Sequence, residues 1–169
     1  MARFRVVPDE STVDIDLDVN LHPSHLTAGA VSGTIECELD GSGRPRLDAP
    51  YAARLSLRVD QLTSGNGLQD REMRRRFDAR RHPTIVARVT HGEELDGRGR
   101  YRASAQLTMH GQTREVEAVV RVRAAGNRLV VDGRQSIDVR DFGIEPPRLL
   151  VLRVGPVVKV RAHMVAEQR

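Results

Sequence analysis

The chain has no tryptophan, and only 3% of its 169 residues are aromatic. Its aromatic side chains are Phe4, Tyr51, Phe77, Tyr101 and Phe142, too few and too scattered to form the stacking platforms that hold single-stranded nucleic acid. No nucleic-acid partner is therefore expected. Cys37 is the single cysteine, which excludes an intrachain disulfide and zinc sites built from paired cysteines, and which fits a reducing compartment. Nowhere does an apolar run approach the eighteen or so residues that cross a bilayer. The first residues, Met1 to Pro8, lack the apolar stretch of a secretion signal and read instead as a strand, so the expected location is cytoplasmic. There is no Gly-x-Ser-x-Gly elbow and no phosphate-cradling loop.

The six histidines are dispersed. Only His22 and His25 are near neighbours, flanking Pro23 and Ser24, and a metal site needs more convergence than that, so no metal or cofactor is expected. Lys and Arg number 27 against 23 Asp and Glu, and almost all of the positive charge is arginine. A solvated basic exterior accounts for this excess, and it also permits contact with an anionic surface.

What is abundant is alternation. In Thr12 to Val19, Val13, Ile15, Leu17 and Val19 interleave with Asp14, Asp16 and Asp18, placing oil on one face and water on the other. The same two-residue period runs through Val31 to Leu39, Leu55 to Val59, Ala103 to Met109, Val116 to Val122 and Val158 to Met164. Turn signals separate these runs, among them Asp40-Gly41-Ser42-Gly43, Asp96-Gly97, His110-Gly111 and Gly126-Asn127, at the spacing of antiparallel hairpins. One helix is predicted over Leu68 to Asp78, started by Asn66 and Gly67, with Met73 and Phe77 on one side and Arg71, Arg74 and Arg75 on another. No repeat and no linker divides the chain, so residues 1–169 are read as one all-β domain.

Many half-buried strands with one helix leave a two-sheet sandwich or a closed barrel. Closure is favoured because it satisfies the strand edges and covers the apolar face at once. An antiparallel barrel of eight strands has an interior that side chains fill or that holds one small ligand. The apolar positions here are mostly Val, Leu, Ile and Ala, which leave room.

Three segments in register resemble the YceI-like family. They are Ser64-Gly65-Asn66 with Asp70, Met73, Phe77-Asp78 and Pro83-Thr84-Ile85; Tyr101 with Leu107-Thr108-Met109-His110-Gly111, Thr113 and Val116; and Ile137-Asp138 with Asp141-Phe142-Gly143-Ile144. The resemblance implies a lipocalin-like β-barrel whose elongated apolar cavity takes polyisoprenoid chains such as quinone tails or polyprenyl phosphates. The chain departs from the family pattern at Phe4, where tryptophan is usual, at Glu10-Ser11 for His-Ser, at Ala105 for glycine and at Val139 for arginine.

On this basis the expected function is to bind and carry or store a long isoprenoid or similar apolar lipid, without catalysis. The expected cavity lining is Val13, Ile15, Leu17, Ile35, Leu55, Leu57, Val59, Phe77, Leu107, Val120, Val122 and Phe142. Arg71, Arg74 and Arg75 are the candidates for contact with a headgroup or a membrane surface, and exposed strand edges allow a homodimer. Two other readings stand beside it: a ligand-free protein-interaction module, and an enzyme on an apolar substrate using His110, Asp138 or Asp141. Against the second, carboxylates beside a turn usually cap backbone amides and a turn histidine usually bonds to nearby backbone. Asp70 is expected to fix the helix start or to pair with an arginine one turn on.

Overall fold

Each alternating run becomes a strand in the computed structural model, which describes residues 1–20, 24–146, 148–149 and 152–169. In chain order the strands are β1 (Ala2–Val6), β2 (Thr12–Leu17), β3 (Ser24–Ala28), β4 (Ser32–Cys37), β5 (Ala52–Arg58), β6 (Thr84–Glu94), β7 (Arg100–Met109), β8 (Gln112–Ala125) and β9 (Arg128–Asp138). A short hairpin of β10 (Arg148–Leu149) and β11 (Leu152–Arg153) precedes the long β12 (Val157–Gln168). Helix α1 (Gly67–Arg76) lies between β5 and β6. His22 lies outside the described residues.

All the pairings are antiparallel, and β1, β4, β5, β6, β7, β8, β9 and β12 follow one another around a ring that the β1–β12 pairing closes. This is the closed eight-stranded barrel expected from the sequence. The first strand of the ring is broken. Pro8 has no backbone N–H to give a ladder, and a 3-10 turn over Pro8–Glu10 separates β1 from β2, yet both halves pair with β12. Ser11 holds the break in place: its hydroxyl donates to the Val7 carbonyl (2.8 Å) and accepts from the Val165 amide (3.1 Å). The neighbouring strand is broken in the same way, β3 pairing with β2 and β4 with β1.

The β7–β8 connection is a two-residue hairpin in which His110 and Gly111 both take positive φ, 53° and 71°. That geometry matches the twist of the flanking strands and tolerates few residues besides glycine. Helix α1 begins where Asn66 caps it, its Oδ1 accepting from the amides of Leu68 (3.0 Å) and Gln69 (3.1 Å). Among the described residues no helix is long and apolar enough to cross a membrane.

The interior falls into distinct packing groups. At the end where β1 meets β12, Phe4, Val6, Cys37, Leu129 and Ala166 form a solid plug. Burial raises the Cys37 thiol pKa, so it stays protonated. Toward the other end, residues of β2, β5, β6, β7, β9 and β12 face one another beneath α1.

Candidate functional site

Beneath α1 the inward side chains do not meet. They surround a cavity of about 220 Å³, larger than the roughly 150 Å³ apolar void that is known to take up benzene. Val158, Val160, Ala162 and Met164 line it from β12, and at about 3.4 Å per residue their span gives the cavity a length near 20 Å. Val13, Ile15 and Leu17 of the adjacent β2 stand beside them, and Leu55 and Leu57 of β5, Ile85 and Ala87 of β6, and Leu107 and Met109 of β7 complete the wall.

Small side chains on the wall, Ala87 and Ala162, leave part of this space open. Gly133 of β9 faces inward directly opposite Ala162 of β12, so two of the smallest residues meet at one level of the wall. A Cβ on Gly133 would come within 3.2 Å of Val120 Cγ1, so this position is also tight against β8.

Helix α1 covers the cavity with one stripe, Gln69, Met73, Arg76 and Phe77, as spacings of three and four residues dictate. Its entry is sewn to the barrel through Asp70. This buried carboxylate accepts from Thr63 Oγ1 (2.8 Å), the Ser64 amide (2.8 Å) and Ser64 Oγ (2.6 Å). Burial opposes its ionisation, but the hydrogen bonds from Ser64 and Thr63 outweigh it and hold the pKa below the usual carboxylate value. Thr63 in turn exchanges backbone hydrogen bonds with Thr27 of β3 (2.9 and 3.0 Å). Asp70 therefore fixes the helix start through the preceding segment rather than through a guanidinium one turn on.

Arg76 is the one charged residue on the cavity lining among the described residues. Its Nε donates to Glu72 Oε1 (2.9 Å) and its NH1 to Glu145 Oε2 (2.8 Å), clasping the helix to the segment after β9. Hydrogen bonds from Arg75 and Arg76 hold Glu72 below its ordinary pKa.

The sequence-expected lining divides in two. Val13, Ile15, Leu17, Leu55, Leu57, Phe77 and Leu107 face the cavity. Ile35, Val59, Val120, Val122 and Phe142 do not. Ile35 and Val122 bridge the hollow region and the plug, Val120 packs behind Gly133, Val59 is sealed in a 3-10 turn, and Phe142 is buried beneath the β7–β8 hairpin. Arg71, Arg74 and Arg75 point away from the cavity, Arg75 holding Glu72 (2.8 Å) and Arg74 reaching the Asp60 carbonyl (3.4 Å). The arginine at the mouth is Arg76, and the three-residue step along the helix from Met73 would have found it.

Two of the polar candidates for chemistry, His110 and Asp138, are engaged elsewhere. His110 Nδ1 lies 3.0 Å from the Phe142 carbonyl oxygen, and its ring meets His82 edge-on at 5.4 Å. Asp138 accepts from the Arg140 amide (3.0 Å) and pairs with the Arg140 guanidinium (2.8 Å), which lowers its pKa. None of His110, Asp138 and Asp141 lines the cavity. Among the described residues no three His, Cys, Asp or Glu side chains converge as metal ligands do.

A family model for the YceI-like domain matches residues 4–166. Among solved structures, BcnA of Burkholderia cenocepacia superposes with a TM-score of 0.78 at 18% identity, over 95% of this chain and 98% of that one. A polyisoprenoid binding domain from Saccharophagus degradans, implicated in plant cell wall breakdown, gives 0.73 at 16% identity and 98% of both chains. The YCEI protein of Campylobacter jejuni gives 0.71 at 11% identity, over 89% of this chain and 88% of that one. At such identities the likeness is one of fold. No curated protein matches the chain.

Proposed function

Because the chain belongs to the YceI-like family, we propose that it binds a long apolar lipid of the polyisoprenoid kind in the barrel cavity and carries or stores it unchanged. The observation that carries this reading is the hollow itself, walled almost wholly by aliphatic side chains from seven strands and one helix. Moving hydrocarbon from water into such a space is worth about 0.8 kcal/mol per methylene, so a tail of some twenty carbons gains about 16 kcal/mol before ordering costs. A similar solved fold is that of a polyisoprenoid binding domain, which supports the same ligand class here.

Binding rather than catalysis is the better reading because His110 is tied to backbone and Asp138 to Arg140, and neither they nor Asp141 line the hollow. The exposed Arg71 and Arg74, on the outer side of the helix that covers the cavity, would face anionic headgroups when lipid is exchanged with a membrane. Such contact requires that liposome binding weaken as salt rises. The lone cysteine is in keeping with a cytoplasmic carrier.

Solvent extraction of the purified protein followed by mass spectrometry tests the central claim. The expected result is a polyisoprenoid in the extract, or stoichiometric uptake of an added C20 prenyl alcohol. An empty extract together with no uptake overturns it.

A further inference from the structure

Among the polar residues on the cavity lining, Ser56, Gln69, Arg76 and Gln135, the last projects from β9 into the aliphatic wall. Gln135 shares the inward parity of Val131, Gly133 and Ile137 on β9, stands opposite Val160 of β12, and lines the hollow. Its amide makes no hydrogen bond to any described residue, and it is not sealed in, since no buried side-chain polar atom lacks a partner. It therefore opens onto cavity space with donors and an acceptor unused. A carboxamide in that position has a cost when left dry in hydrocarbon, and a ligand oxygen removes the cost.

Charge at the mouth restricts what that oxygen belongs to. Arg76, the one cation on the lining, is engaged by two carboxylates, Glu72 and Glu145, and Glu72 is itself shared with Arg75. Two cations and two anions leave no net positive charge in this group. A phosphate brought here would displace a carboxylate or sit against one, whereas an uncharged oxygen meets neither obstacle. The second amide on the lining, Gln69, is also neutral and is held by Ser24 Oγ (3.2 Å).

We propose that the polar group of the bound lipid is uncharged, a hydroxyl or carbonyl oxygen that hydrogen-bonds to the Gln135 amide. The site thus selects a prenyl alcohol or prenylated carbonyl compound over a prenyl phosphate or diphosphate. This rests on the lipid-binding reading above and narrows its ligand class.

The test measures the affinities of three C20 probes in detergent-free buffer: geranylgeraniol, geranylgeranyl diphosphate, and the hydrocarbon phytane. The alcohol is expected to bind at least about tenfold more tightly than the diphosphate, and Gln135→Leu to weaken the alcohol by about tenfold, the worth of one hydrogen bond. The same change leaves phytane affinity unaltered. Glu145→Gln, at a highly exposed position, is expected to raise diphosphate affinity. Gln135→Met, closer in shape, replaces the leucine variant if circular dichroism shows that leucine disturbs the barrel.

Diphosphate binding tighter than the alcohol in the native protein overturns the headgroup inference alone. So does equal weakening of alcohol and phytane in the Gln135 variants. Failure of all three probes to bind overturns the lipid reading and this inference with it.

Discussion

At the end of the barrel where β1 meets β12, Phe4, Val6, Cys37, Leu129 and Ala166 close on one another with almost no exposed surface. At the end beneath α1, residues of the same aliphatic kinds face each other across open space. The difference lies in bulk and in cover. Phe4 fills the plug, while Ala87 and Ala162 present only methyl groups to the hollow. The plug is closed by the strands themselves, whereas the hollow is roofed by a ten-residue helix held through Asp70 and the Arg76 clasp. One barrel thus separates stability from capacity: close packing at one end secures the ring, and the other end is free to hold something else.

The contrast is most severely tested by Phe4→Ala. It should remove about 3–5 kcal/mol of stability, read as a shift in the urea midpoint, while bound lipid content stays unchanged in the folded fraction. A loss under about 1 kcal/mol would mean the plug is not close-packed. Adding bulk there should also hurt, Ala166→Phe costing up to about 3 kcal/mol because no space exists for the ring.

Asp70→Asn is expected to cost about 2 kcal/mol, since it weakens three hydrogen bonds to a buried carboxylate. The pH dependence carries a definite sign. Because the folded-state pKa lies below the unfolded value near 4, the stabilisation is complete above that value and is lost as pH falls through the folded pKa. Denaturation curves of the native protein and Asp70→Asn should therefore converge in acid. A gap that stays constant down to pH 2 would assign the effect to shape instead of charge.

The smallest stability change should come from Ala162→Phe, under about 1 kcal/mol, because its ring enters existing space. Lipid uptake is nevertheless expected to be lost. Equal destabilisation by Ala162→Phe and Ala166→Phe would erase the distinction between the two ends.

Alternation in the sequence identified which side chains turn inward, since a two-residue period sorts faces without knowledge of partners. Val13, Ile15 and Leu17 on one strand, and Val158 to Met164 on another, could be placed in the interior in this way. Height along the barrel could not be read. Val122 points inward as firmly as Leu107 does, but it reaches the plug because register joins β8 to β9 at Val122–Val131 and Ala124–Leu129. Register is a property of strand pairs, and the β1–β12 pair spans nearly the whole chain. Gln135 went unread for a related reason. A glutamine in an alternating strand passes for a solvent position until its parity with Gly133 and Ile137 is fixed by a neighbour.

That β12 borders β9 along one edge and both β1 and β2 along the other bears on biosynthesis. A ribosome delivers this strand after every other strand of the ring, and until it docks the tunnel has no fourth side. Nascent protein therefore has nowhere to keep a hydrophobic passenger. Loading has to follow the docking of β12, and the unclosed sheet, with its oily face and two raw edges, is the species that a chaperone would need to guard.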